Sequence, residues 1–151
     1  IRLDELIEEV AGDHRNALLA RAIQLSLQLE PVTVSGDRTQ LRVALDNLLG
    51  NAVKFTPEGG TIGVMMKIKA NRVNVLIEDN GPGISEEDRG QIFQPFFQGK
   101  QQGQSPVKGS GLGLAISREY VENSGGTIRL LPSSHGARFS LTLPRAAEEA
   151  P

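Results

Sequence analysis

Asn47, Asn51 and Lys54 stand at i, i+4 and i+7, so on an α-helix they fall within roughly 60° of one another. Leu41, Leu45, Leu48, Leu49 and Ala52 fall on the other side. A polar stripe alone is what any amphipathic helix shows. The residue types say more. Asn is a modest helix former, yet two sit one turn apart. An Asn carbonyl oxygen suits Mg²⁺, which takes hard oxygen ligands and keeps several waters. Lys54 can bring positive charge to phosphate oxygens. Two glycine-containing segments extend this chemistry. Asp79-Asn80-Gly81-Pro82-Gly83-Ile84 ends an apolar run. Its composition is that of a tight turn, but a turn does not explain a carboxylate delivered by an apolar strand. Gly109-Ser110-Gly111-Leu112-Gly113-Leu114 precedes a helical pattern, and successive N–H groups at a helix start form an anion site. A polar loop precedes this cluster, so it is not the dinucleotide fingerprint, which needs a preceding strand.

The elements that position these residues follow from periodicity. Leu6, Ile7, Val10, Leu18, Leu19 and Ala22 recur at helical spacing, predicting a helix from Leu3 to about Ala22. Leu25, Leu27 and Leu29 alternate with polar residues, predicting a half-buried strand, and Val32 and Val34 a short second one. Asp37 with Gln40 reads as an N-cap and capping-box partner for a helix to about Phe55. Residues 61–69 and 72–78 read as an antiparallel hairpin around Ala70-Asn71. Ser85 should cap a short helix toward Phe93, and a Gly/Gln-rich loop should fill 99–108. A helix from Leu112 to about Asn123 should stop at Gly125-Gly126. A last hairpin takes 127–131 and 137–143, and residues 145–151 should fray. Helices mixed with antiparallel strand pairs predict an α/β two-layer sandwich, a largely antiparallel sheet with helices on one face.

With 151 residues and 38% apolar content, the chain suits one domain with a core. A net charge of −2 favours neither nucleic acid nor an anionic membrane. The absence of cysteine excludes disulfides and thiolate metal sites. No stretch approaches the roughly 18–20 apolar residues of a membrane span. The chain begins at Ile1 rather than Met, so a fragment is expected, with any membrane anchor elsewhere in its parent.

Five blocks occur in order: Asn47-Leu-Leu-Gly-Asn51-Ala-Val-Lys54-Phe55, Asp79-Asn-Gly81-Pro-Gly83, Phe93-Gln-Pro-Phe96-Phe97, Gly109-Ser-Gly111-Leu-Gly113-Leu114 and Gly125-Gly126-Thr127. As a set they resemble the N, G1, F, G2 and G3 boxes of the ATP-binding catalytic domain of bacterial sensor histidine kinases. That domain belongs to the superfamily of gyrase B, Hsp90 and MutL. The resemblance covers nearly the whole chain and implies the Bergerat-type fold over 1–144, with ATP between sheet and helices. It implies that Asn51 ligates Mg²⁺, that Asn47 supports the metal or its waters, and that Lys54 contacts phosphate, with Phe55 near the base. Asp79 would accept a hydrogen bond from the adenine amino group, with Gly81, Gly83 and Ile84 alongside. Phe93 would belong to the ATP site. Lys108, Gly109, Ser110, Gly111, Leu112, Gly113 and Leu114 would contact phosphates or hinge a lid over 98–108, although Leu112 and Leu114 read rather as core residues. The resemblance departs at Gln98, where many members carry Arg; Lys100 or Lys108 could supply that charge. Gyrase-like ATPases place a water-activating Glu where this chain has Asn47, and Asn cannot act as a base.

The implied reaction is transfer of the γ-phosphoryl of Mg-ATP to a His on a separate dimerisation domain, then to a response-regulator Asp. His14 and His135 lack the Pro-containing acceptor context and read as a surface residue of the first helix and a loop residue. The implied parent is a homodimeric inner-membrane sensor kinase whose catalytic domain is cytoplasmic. A degenerate nucleotide-binding module, a gyrase-type ATPase or a protein-serine kinase are the alternatives.

Overall fold

The computed structural model describes residues 1–95, 113–133 and 136–146. In chain order the elements are α1 (Leu3–Asp13), α2 (Arg15–Ala20), β1 (Gln24–Gln28), α3 (Arg38–Phe55), β2 (Thr61–Lys69), β3 (Arg72–Asp79), α4 (Glu86–Arg89), α5 (Gly113–Asn123), β4 (Thr127–Leu131) and β5 (Arg138–Pro144). The strands form one sheet in the order β1-β2-β3-β5-β4. Only β1 and β2 run parallel; the other pairs are antiparallel.

Period-two alternation gives the sheet one apolar face. Val64 pairs with Ile77, Ile77 with Phe139 and Phe139 with Leu130. The next row runs Met66, Val75, Leu141 and Ile128. Apart from Leu130, which is half-buried, these side chains are buried. The opposite face carries polar ties such as Asn74, whose amide donates to Ser140 Oγ at 2.7 Å and Thr142 Oγ1 at 3.1 Å. α3 lays Leu41, Ala44, Leu45, Leu48, Leu49, Ala52 and Val53 into the core, with α1 and α5 packed against it. Full burial of one such Leu is worth about 1.5–3 kcal/mol.

The Asp37 cap forms as expected: its carboxylate accepts from the Gln40 N–H at 3.0 Å. Several expectations change. The first helix is two helices broken at His14, whose N–H bonds back to Ala11 O at 3.1 Å. His14 is half-buried rather than a surface residue, and its Nε2 lies 2.8 Å from Asp46 Oδ1 on α3. That cross-helix contact coincides with the break. β1 is an edge strand with Leu27 36% exposed, so its alternation does not mark a well-buried face. Val32 and Val34 are buried, but the segment makes only isolated bridges, Arg2 with Thr33 and Val34 with Arg145. Ser85 precedes α4 without a side-chain capping bond. Arg145 and Ala146, in the expected tail, are held by N–H bonds to Asn71 O and Thr33 O. The 99–108 loop, His135 and residues 147–151 lie outside the described residues. No helix among the described residues is long and apolar enough to cross a membrane.

Candidate nucleotide site

The alternation that buries Val73, Val75 and Ile77 carries on to Asp79, the last residue of β3. Asp79 therefore projects from the same sheet face as the apolar side chains. This explains how an apolar strand delivers a carboxylate between the layers. Oδ1 of Asp79 accepts two backbone N–H groups, from Gly81 at 2.9 Å and from Ala137 at 3.2 Å. Oδ2 has no protein partner among the described residues. Burial pushes the carboxyl above the ordinary carboxylate range, and the two N–H donors offset this in part. A half-buried carboxylate with one oxygen pinned and the other free is a fixed hydrogen-bond acceptor.

The turn after Asp79 closes onto α3. A Cβ at Gly81 would lie 2.5 Å from Phe55 O, so only glycine permits this approach. On the other side, a Cβ at Gly136 would lie 1.9 Å from Asp79 O, and Gly136 has φ +68°. Gly83 in turn lies against Gly136 O, and Ile84 packs on the core edge. Asn80 closes the base of the turn by accepting the Thr61 N–H at 3.0 Å.

On α3, Asn47, Asn51, Lys54 and Phe55 are all half-buried, in contrast to the buried Leu face. Asn47 Nδ2 donates to Gly113 O at 3.1 Å, which ties the helix to the first residue of α5. The wholly buried Ser117 strengthens this junction, its hydroxyl reaching Gly113 O at 2.8 Å and Ala44 O at 3.3 Å. The Lys54 ammonium stands 5.1 Å from the Phe55 ring centroid, and burial lowers its pKa. Phe93 makes an edge contact with Phe139, ring centroids 6.3 Å apart, under the Arg118 guanidinium. Leu114 packs on the core. Lys108, Gly109, Ser110, Gly111, Leu112, Phe96, Phe97, Gln98 and Lys100 lie outside the described residues.

The structure thus joins α3, the Asp79 turn and the start of α5. Gly136, Ala137 and Ser117 complete that joint without having been singled out from sequence. The sequence signal for the first two is a glycine, Gly136, directly ahead of the 137–143 strand pattern. Among the described residues there is no cluster of three or more His, Asp or Glu that could hold a metal. The donors on α3 are amide oxygens, which fit a Mg²⁺ ion that keeps waters and phosphate ligands rather than a carboxylate cage.

The model of the histidine kinase-, DNA gyrase B- and HSP90-like ATPases matches residues 36–147. The sensor-like histidine kinase SenX3 of Mycobacterium tuberculosis is 31% identical over 98% of this chain, and the alginate biosynthesis sensor protein KinB of Pseudomonas aeruginosa is 39% identical over 83%. The chain spans only 37% and 21% of those proteins. The nucleotide-free catalytic domain of histidine kinase ThkA superposes with a TM-score of 0.85 at 32% identity, covering 96% of this chain and 93% of that one. Full-length ShkA in complex with AMPPNP gives 0.82 at 29% identity, covering 99% of this chain and 31% of its own. ThkA in complex with the response regulator protein TrrA gives 0.81 at 30%, covering 97% and 41%. This chain belongs to the histidine kinase-, DNA gyrase B- and HSP90-like ATPase family, as the catalytic ATP-binding domain of a histidine kinase.

Proposed function

We propose that this domain binds Mg-ATP and presents its γ-phosphoryl to a histidine on a separate helical dimerisation domain of the same sensor kinase. The observation that carries the reading is the Asp79 carboxylate, with Oδ1 pinned by two N–H groups and Oδ2 without a partner among the described residues. That atom accepts the adenine amino group. Gly81 and Gly83 keep side chains away from the ring, and Phe55 and Ile84 border it. Asn51 would supply a carbonyl oxygen to Mg²⁺, and Asn47 would support the metal or its waters. Lys54 supplies positive charge to phosphate oxygens, with Gly113 at the start of α5 close to Asn47. Mg²⁺ would contribute charge neutralisation at the phosphates. The protein's part is positioning and electrostatics rather than covalent catalysis.

Asn47 has no basic atom and already donates to Gly113 O, so it does not activate water. This favours phosphoryl transfer over hydrolysis. AMPPNP in the ShkA complex and TrrA in the ThkA complex support, for this chain's parent, an ATP donor and a response-regulator recipient. The parent is a homodimeric sensor of the inner membrane with this domain in the cytoplasm, residues 1–144 forming the catalytic unit. The first test is calorimetry of this chain with Mg-ATP and Mg-GTP. The reading requires saturable binding of ATP and clear discrimination against GTP; no binding, or equal binding, overturns it.

A further inference from the structure

The carbonyls that end α3 have an unusual set of partners. Ala52 O accepts the Thr56 N–H at 3.0 Å and the Thr56 hydroxyl at 2.6 Å. Pro57 O accepts the Gly60 N–H at 2.9 Å. Val53 O and Thr56 O are both taken by one side chain from another element, the half-buried guanidinium of Arg21, at the end of α2. Backbone contacts hold Arg21 in place. Its own carbonyl accepts the Gly59 N–H at 2.9 Å, and the Gln24 N–H donates to Gly60 O at 3.0 Å. A guanidinium fork can bridge two carbonyls, which an ammonium cannot do as well.

The same helix end carries Lys54, the basic residue of the last turn. A helix C-terminus holds partial negative charge and attracts such a cation to its free carbonyls. Lys54 instead stands over the Phe55 ring. With Val53 O and Thr56 O already filled, the helix end competes less for its ammonium. We propose that Arg21 is a positioning residue that occupies the end of α3 so that Lys54 stays available to the anionic part of a nucleotide. This rests on the nucleotide reading of the site.

The test compares Mg-ATP with adenosine, each titrated into the 151-residue chain by NMR. The variants are Arg21→Met, Arg21→Lys, Lys54→Met and the corresponding double substitutions. Arg21→Met should lower the ratio of ATP to adenosine affinity by about tenfold, the loss of one charged hydrogen bond's worth. Arg21→Lys should recover part of it. On the Lys54→Met background neither change should move the ratio further. Equal weakening of both ligands would mean that Arg21 only supports the fold, and a ratio shift that persists without Lys54 would mean that Arg21 acts on the phosphates itself; either result overturns the proposal. If Arg21→Met does not fold, Arg21→Lys with and without Lys54 makes the same comparison. Failure of the unsubstituted chain to bind either ligand would instead remove the nucleotide reading itself.

Discussion

Replacing Asp79 by Asn separates recognition from folding at a single atom. The two N–H donors, Gly81 and Ala137, both use Oδ1, and the Asn carbonyl can keep both. The amide nitrogen then takes the place of Oδ2. An acceptor becomes a donor, and in the proposed binding mode it faces the adenine amino group, which is also a donor. Loss of a hydrogen bond to a charged acceptor costs about 1.5–3 kcal/mol, and a donor left facing a donor adds about 1–3 kcal/mol. Together these predict that ATP binds about 10²-fold more weakly or worse. Stability should change little. The carboxyl is held above its ordinary range by burial, so the neutral amide removes a desolvation cost while weakening two hydrogen bonds. Calorimetry gives the affinity and thermal unfolding gives the stability. The substituted amide should also favour a base with a carbonyl in place of the amino group, so inosine triphosphate should lose less affinity than ATP, or gain. Unchanged ATP affinity with an intact fold would refute the assignment of Asp79 to base reading.

Two other substitutions probe the rest of the site, and a third tests an ion pair at the start of α1. Asn51→Ala should abolish the Mg²⁺ dependence of ATP affinity, measured by titration with and without the metal; a persisting dependence would place the ion elsewhere. Gly136→Ala should destabilise by at least about 2 kcal/mol, because its Cβ would lie 1.9 Å from Asp79 O at φ +68°; a shift in unfolding midpoint within error would contradict the packing. Asp4, beside the Arg2 guanidinium, has its pKa lowered from 3.8 to about 2. Its folded-state value is depressed, so its contribution is complete above the unfolded value and is lost as pH falls through 3.8 toward 2. Linkage caps that contribution at about 2.5 kcal/mol, and solvent around the exposed Arg2 reduces it to about 1 kcal/mol. Asp4→Asn should therefore flatten the acid limb of the stability–pH curve, and identical acid limbs would contradict the pairing.

Local signals marked α3 well. Asp37 and Gln40 announce its start, the Leu spacing its buried face, and Thr56-Pro57 its end. The strand ending at Asp79 was equally legible, since period-two alternation puts Val73, Val75, Ile77 and Asp79 on one face. The features that sequence reading missed depend on distant partners. Helical spacing runs through His14, and the partner that His14 meets at the break, Asp46, lies 32 positions away. The second donor to Asp79 comes from Ala137, 58 positions away. Nothing in the sequence marks Arg21, whose partners arise where α2 meets the end of α3. β1 shows the converse: its Leu alternation is genuine, but at a sheet edge alternation does not ensure burial.

The central claim is phosphoryl transfer to histidine, and the most direct measurement uses the full-length parent. It would be incubated with γ-labelled Mg-ATP, and the labelled protein tested for stability in acid and in base. The account predicts a label that is lost in acid and kept in base, as expected of phosphohistidine. An acid-stable label, or none despite nucleotide binding, would contradict it.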